Sequence, residues 1–362
     1  MDYSSRTRKL RASLEQKYLD TLLITHLPNI RYLCGFTGSA GVLLVTGERA
    51  FFFTDGRYTQ QAKTEVQGAK VVIVRKTPLI AAAESLSENG RNWGVKTVGF
   101  EAEHLTVTTK NQLSRAVPKS VRLRPTTGLI ERLRIIKDAD EIRLLRDAVI
   151  AGAGLFDVAL ETIRTGVKET AVAAEMEYSA RQGGVEGMSF DTIIASGPRS
   201  ALPHGRASQA AVPSRGFVVC DFGVILAGYC SDMTRTVHVG KPGAAGRGIY
   251  EAVKDAQQLA VDAVKPGIAI GEVDRAARSH LQRKGLVRYF THSTGHGVGL
   301  EIHEAPRIAA GQSEQLQPGM VITIEPGVYL PGKGGVRIED MVLVTDRGCD
   351  VLTPTPKELI TI

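Results

Sequence analysis

Cys220-Asp221-Phe222-Gly223-Val224-Ile225-Leu226-Ala227-Gly228-Tyr229-Cys230-Ser231-Asp232-Met233-Thr234-Arg235-Thr236 is the stretch on which the fold turns. The apolar residues 217–219 lead into it, and Val237-His238-Val239 lead out. Ala227-Gly228 is a turn signal, so the stretch predicts a β-hairpin. The midpoint of Asp221 and Asp232 falls between Leu226 and Ala227. A tight turn centred there makes the two aspartates direct cross-strand partners on one face. Like charges so opposed are destabilising, by ~4 kcal/mol at ~4 Å in an effective dielectric near ~20. Something positive is expected between them.

A second hairpin repeats the arrangement. Residues 320–330 form one arm, Pro331-Gly332-Lys333-Gly334-Gly335 the loop, and residues 336–344 the other arm. Glu325 and Glu339 are equidistant from Gly332 and so can face each other. The alternative, four solvated surface carboxylates, conflicts with the apolar runs that flank them.

The 362 residues suffice for two domains and a large core. Apolar content of 43% and charged content of 23% are those of an ordinary soluble globular chain. No run approaches a membrane span. The start, Met1-Asp2-Tyr3-Ser4-Ser5-Arg6, has no apolar segment of the signal-peptide kind. Cys34, Cys220, Cys230 and Cys349 lack metal-site or CxxC spacing and read as thiols of a reducing compartment, so a cytoplasmic protein is expected. Net charge is +7. The basic residues are scattered apart from short clusters at the N-terminus and in 122–134, and no recognition motif accompanies them. Neither nucleic acid nor membrane is expected as a partner.

Along the chain, residues 1–20 predict a helix with Leu10, Leu14 and Tyr18 on one stripe. Residues 21–25, 42–46, 50–54, 71–74 and 97–100 predict strands, and 79–86 a helix. Pro28-Asn29 and the glycines at 35, 38 and 41 read as turns, since they match no phosphate-binding pattern. Alternation of helices and strands predicts an α/β domain, ending near Pro125-Thr126-Thr127-Gly128. Residues 138–163 predict a long amphipathic helix with Ile142, Leu145, Val149, Ala153 and Phe156 on one stripe. Beyond it lies a degenerate internal repeat. Ile163-Arg164-Thr165-Gly166-Val167, Val172 and Gly183-Gly184 have counterparts 101 residues on, in Val264-Lys265-Pro266-Gly267-Ile268, Val273 and Gly285. Two such halves with adjoining sheets would bring all four carboxylates together.

Between the hairpins stands Thr291-His292-Ser293-Thr294-Gly295-His296-Gly297-Val298-Gly299-Leu300-Glu301-Ile302-His303-Glu304. His292 and His296 have the spacing of a zinc-binding helix. However, no Glu follows His292, and three glycines would break a helix. Glycines beside a histidine instead allow close backbone approach. Arg337 shares a face with Glu339, but one arginine cannot neutralise four carboxylates, whereas two divalent cations can. Carboxylates with one imidazole suit Mn²⁺, with Co²⁺, Zn²⁺ or Fe²⁺ as alternatives. Two such ions can activate a shared water and polarise a carbonyl, which is hydrolase chemistry.

These motifs resemble the pita-bread metallopeptidases, namely the Xaa-Pro aminopeptidases, prolidases, methionine aminopeptidases and metal-free creatinases. The resemblance rests on Asp221 with Gly228 to Thr236, on His292 to Gly299, His303-Glu304, Ile324-Glu325-Pro326-Gly327 and Val336-Arg337-Ile338-Glu339-Asp340. It extends to the N-terminal part, where residues 30–38 and 53–58 resemble a creatinase-type domain. It implies an α/β (α+β) fold: a creatinase-like α/β domain over residues 1–126, then a pita-bread catalytic domain over 127–362 with a pseudo-two-fold repeat and a curved antiparallel sheet. Asp221 and Asp232 would hold one metal. Asp232 and Glu339 would bridge to a second, completed by His296 and Glu325. The implied catalytic residues are Glu325 as general base, His303, His204, His292 and Arg337. His204, His292, His303 and Tyr329 would contact substrate. The family also implies a homodimer.

The expected activity is an aminopeptidase releasing the residue before proline from short peptides with proline at the second position. The alternatives are a prolidase, cutting only Xaa-Pro dipeptides, and a non-catalytic binding module. A prolidase needs a cation for the proline carboxylate; Arg307 is the candidate, against its reading as a surface arginine.

Overall fold

Apolar β-branched and aromatic runs bounded by turns become strands in the first part of the chain, and each polar-apolar alternation at helical spacing becomes a covering helix. The computed structural model describes residues 1–90 and 93–362. It divides into two compact units, Met1–Arg134 and Ile135–Ile362. The expected boundary at residue 126 thus moves to Arg134, because Glu131 and Arg134 belong to the first unit's polar core: Asn29 Nδ2 donates to Glu131 and Arg134 Nη1 to Asn29 Oδ1 (2.8 Å).

The first unit contains α1 (Tyr3–Gln16), β1 (Thr21–Ile24), α2 (Leu27–Cys34), β2 (Val42–Thr46), β3 (Ala50–Asp55), α3 (Thr59–Glu65), β4 (Lys70–Val74), α4 (Pro78–Asn89), β5 (Thr97–Glu101), α5 (Val107–Ala116) and β6 (Arg122–Thr126). The strands form one mixed sheet in the order β4-β3-β2-β1-β5-β6. Two details depart from expectation. Helix α1 stops at Gln16, and Tyr18, at φ 54°, is 84% exposed rather than continuing the Leu10–Leu14 stripe. Pro28-Asn29 does not make a turn: the proline occupies the first turn of α2, where its missing N–H has no partner to lose.

A short helix α6 (Glu131–Ile135) precedes the second unit's α7 (Ala139–Thr162), α8 (Glu169–Gln182), β7 (Gly187–Met188), β8 (Ile193–Ser196), β9 (Gly216–Phe222), β10 (Val224–Leu226), β11 (Tyr229–Cys230) and β12 (Met233–Val239). The second half follows as α9 (Ala244–Ala263), α10 (Ile270–Arg283), β13 (Gly295–Gly297), β14 (Glu304–Ile308), β15 (Val321–Ile324), β16 (Gly327–Leu330), β17 (Gly334–Arg337), β18 (Asp340–Val344) and β19 (Cys349–Val351). Asp138 and Glu141 form a reciprocal capping box that starts α7.

The internal repeat is present in the helices. The ends of α7 and α9 (Thr162, Ala263), the starts of α8 and α10 (Glu169, Ile270) and their ends (Gln182, Arg283) are each 101 residues apart. Gly166 and Gly267 take left-handed φ values of 87° and 82° in the two equivalent turns. Every strand pair of this unit is antiparallel. Strands β12-β9-β8 carry the first half and β14-β13-β15-β18-β19 the second. Each half packs its helices onto its strands in its own apolar cluster, Met176, Val218, Phe222 and Val237 in the first, Val253, Val273, Ile322 and Val342 in the second. Cys34, Cys220 and Cys230 are buried and Cys349 half-buried, and none of the four forms a disulfide. Among the described residues no helix is long and apolar enough to cross a membrane.

Candidate metal centre and peptide pocket

The first hairpin turns one residue later than expected. Leu226 pairs with Tyr229 around Ala227-Gly228, whose φ values are 47° and 81°. Two consecutive positive φ values describe a hairpin turn matched to strand twist. The shift places Asp221 opposite Thr234 rather than opposite Asp232. Strand parity still puts Asp221, Asp232 and Thr234 on one face, so the aspartates are diagonal neighbours. In the second hairpin the expected register holds. Gly327 pairs with Arg337 and Ile324 with Asp340, so Glu325 and Glu339 stand opposite each other in the gap between the two ladders.

The halves then meet. Glu339 N donates to Thr234 O (3.1 Å), and Thr234 Oγ1 donates to Glu339 Oε2 (2.6 Å). Arg337 donates Nη2 to Asp221 Oδ2, Nε to Thr234 Oγ1 (3.1 Å) and Nη1 to both Tyr329 Oη (2.7 Å) and Pro203 O (3.0 Å). His296 comes from β13, the strand permitted by its glycines: a Cβ on Gly295 would lie 1.8 Å from Thr323 O. Ligand atoms of Asp232, His296 and Glu339 lie within 4.8 Å of one another. Glu325 reaches His296 Nε2 at 3.6 Å, as Asp232 does.

Electrostatics of this cluster are unfavourable without added positive charge. Burial, then Glu339, Asp221 and Glu325, raises the Asp232 carboxyl well above its usual range. Burial, then Glu325 and Asp221, does the same to Glu339. Burial pushes Glu325 up to about 8, against the opposing pull of Arg337. Burial works against the charge on Arg337, yet Tyr329, Asp221, Glu325 and Glu339 together hold it well above its usual value. His296 is lowered to about 4 by burial, so it is neutral. Its Nδ1 lies 3.0 Å from Gly297 O and must donate there, which leaves the Nε2 lone pair facing two carboxylates. Asp221 Oδ1 is buried with no hydrogen-bond partner. A lone pair aimed at carboxylates and an orphaned carboxylate oxygen both fit divalent cations held by oxygen donors and one imidazole.

These groups open onto a cavity of about 670 Å³. Of the residues singled out in sequence, Asp221, Asp232, His296, Glu325, Glu339, His204, His292, His303, Arg307 and Arg337 all line it. Tyr329 does not: it is buried behind the wall, with Oη bonded by Arg337 and 2.9 Å from His292 Nε2. His292 Nδ1 donates to Ser293 O (2.8 Å), so Tyr329 donates to Nε2; burial, then Arg337, lowers this imidazole to about 4. His204, His303 and Arg307 are exposed on the rim, and burial lowers His303. Sequence reasoning missed Thr234, which parity with Asp232 could have revealed, and the apolar walls Phe190, Ile193 and Ile302, for which no local signal exists.

Comparison with known proteins accords with this geometry. Residues 143–346 match metallopeptidase family M24 and residues 6–136 match the Creatinase/Prolidase N-terminal domain. The chain is 38% identical to an Xaa-Pro dipeptidase of Pyrococcus horikoshii, covering 99% of both chains. A solved Xaa-Pro dipeptidase from Bacillus anthracis is 41% identical, with TM-score 0.95 over 99% of this chain and 100% of that one. An X-Pro aminopeptidase from Thermotoga maritima is 34% identical, with TM-score 0.88 over 97% and 100%. The fold is therefore the creatinase-type α/β domain followed by a pita-bread domain, and the chain belongs to metallopeptidase family M24.

Proposed function

We propose that this metallopeptidase is an Xaa-Pro dipeptidase, the alternative rather than the first expectation from sequence. The observation that carries it is Arg307 lining the same cavity as His204, His303 and the carboxylate cluster. An extended dipeptide is only about 7 Å long, so its ammonium and carboxylate can meet the carboxylates and the arginine of one pocket. The dipeptidase relatives at 38% and 41% identity support the same choice over the aminopeptidase at 34%.

In this reading Asp221 and Asp232 would hold one divalent ion, and Asp232, Glu339, His296 and Glu325 would hold a second, with Mn²⁺ best suited to the donors. Such ions, when bound, lower the pKa of water and polarise a peptide carbonyl. Glu325 accepts the proton of the attacking water. His303 and His204 donate toward the oxygen of the tetrahedral species. Arg337 holds Asp221 and, through Tyr329, fixes the neutral tautomer of His292. Phe190, Ile193 and Ile302 form a wall for the proline ring. Proline lacks an N–H, so an apolar wall there leaves no donor unsatisfied. The reading includes a cytoplasmic protein and a homodimer; light scattering checks the dimer.

Side-by-side assays of Xaa-Pro and Xaa-Pro-Yaa test specificity. Arg307→Ala is expected to raise KM for Xaa-Pro by roughly 1.5–3 kcal/mol, the cost of a charge-assisted hydrogen bond, while barely changing any tripeptide cleavage. A wild type that prefers Xaa-Pro-Yaa overturns the dipeptidase reading.

A further inference from the structure

Glu169 is the first residue of α8 and is 0% exposed. It is not among the residues lining the cavity. A buried carboxylate needs strong partners, and all of its partners come from one segment. Oε1 accepts from Ser196 N (2.7 Å) and Ser196 Oγ (2.8 Å). Oε2 accepts from Ser208 N (3.1 Å), Ser208 Oγ (2.7 Å) and Arg199 Nε (3.0 Å). Arg199 in turn donates Nη2 to Arg206 O (2.9 Å). The carboxylate therefore closes residues 196–208 into a loop by gripping both ends and, through Arg199, its distal limb.

His204 stands in that loop. The loop is also attached at the carboxylate cluster, where Arg337 Nη1 donates to Pro203 O (3.0 Å), on β17, where Gly335 N donates to Ser200 Oγ (2.9 Å), and by an exposed ion pair of Arg206 Nη2 with Asp191 Oδ2 (3.0 Å). Turns within the loop, from Leu202 N to Arg199 O and from Gly205 N to Leu202 O, fix its shape but not its position. Position comes from the buried clamp at one side and from Ser200 and Arg337 at the other, with the exposed Arg206–Asp191 pair a weak addition.

We propose that Glu169 is a positioning residue for peptide hydrolysis, setting His204 in the cavity without touching substrate. The proposal rests on the reading of His204 as a substrate contact. Glu169→Gln puts an amide donor where N–H and O–H groups already point. Expected results are a fall in kcat/KM for Xaa-Pro of roughly tenfold to 100-fold, the scale of a displaced contact group, unchanged bound metal, and faster amide exchange confined to residues 197–208. The deciding measurement is the cycle with His204→Ala. Glu169→Gln/His204→Ala should be no worse than His204→Ala within about twofold, because the two changes remove one contact.

If Glu169→Gln does not yield folded protein, Ser196→Ala/Ser208→Ala removes the two hydroxyl donors and leaves the carboxylate and both amides. Its smaller loss should likewise vanish in the His204→Ala background. Multiplying losses, or unchanged exchange in 197–208, overturns the positioning role. His204→Ala with wild-type kinetics overturns the reading of His204 and the proposal with it, a result distinct from multiplying losses.

Discussion

The two halves of the second unit repeat the end of their first helix and the whole of their second at a 101-residue offset, yet hold their loops by different means. In the first half Glu169, at the start of α8, binds the His204 loop directly. In the second, Asp274 within α10 accepts from Thr294 Oγ1 (2.7 Å) and from Arg278 Nε (2.7 Å), and Arg278 carries the grip on to the carbonyls of Phe290 and His292. Both carboxylates are fully buried. The halves also divide the chemistry unequally: the first brings two aspartates from one hairpin, the second a histidine and two glutamates from three segments. The repeated part is the frame. The chemistry sits where the frame is interrupted, since Asp232, Glu325 and Glu339 all lie just outside regular strand.

The largest effect expected separates the halves as metal ligands. Glu339→Ala removes a member of the tight Asp232–His296–Glu339 group, so bound metal should fall below one ion per chain and kcat by about a thousandfold or more, several kcal/mol. Asp221→Ala leaves that group intact and should retain one ion. Elemental analysis of the purified variants checks the order; equal metal loss in both would erase the asymmetry.

Next in size is a pH effect on the metal-free protein. The folded pKa of Glu325, about 8, lies above an unfolded value near ~4.3. The native state then holds a proton that the unfolded chain has released, so this group's contribution to stability falls as pH rises through that window. Asp232 and Glu339 act in the same direction. His292 and His296, lowered to about 4, act oppositely, and stability gained from them rises between pH 4 and about 6.5. Below about pH 6.5 the two sets compete, and above it the carboxylates stand alone. Urea unfolding of metal-stripped protein should therefore show a loss of stability from about pH 6.5 to 8, by a few kcal/mol. Glu339→Gln should flatten the slope. A level profile would mean that the cluster tolerates its own charge.

What the sequence revealed follows the same division. Asp221, Asp232, Glu325 and Glu339 were legible because hairpin spacing is local, and the glycines around His296 because they exclude a helix. The one-residue error in the first hairpin came from centring the turn on the midpoint of the two aspartates, although Ala227-Gly228, one residue later, already marked the turn. Helix α2 was hidden by reading Pro28 as a breaker when it occupies the first turn. Glu169 and Asp274 were invisible for another reason. Their partners lie between 20 and 39 residues away, apart from Arg278, and no motif links a buried carboxylate to a loop that distant.

The smallest effect tests the two turns. Ala227 sits at φ 47°, where a Cβ costs about 1–2 kcal/mol; the second hairpin places Gly332 at φ 72°. Ala227→Gly relieves the strain but loosens the unfolded chain, a partly cancelling term of about 0.4–1 kcal/mol. A net gain of roughly 0.5 kcal/mol follows from these opposing terms. Gly332→Ala meets no atom within 4 Å, so it incurs the backbone strain of about 1–2 kcal/mol less the same unfolded-chain term, a net loss of roughly 0.5 kcal/mol. The two substitutions should move the urea midpoint in opposite directions with metal content and kcat unchanged. If Ala227→Gly destabilises, the unfolded-state term exceeds the strain, and the first hairpin is held by its strands rather than hindered by its turn.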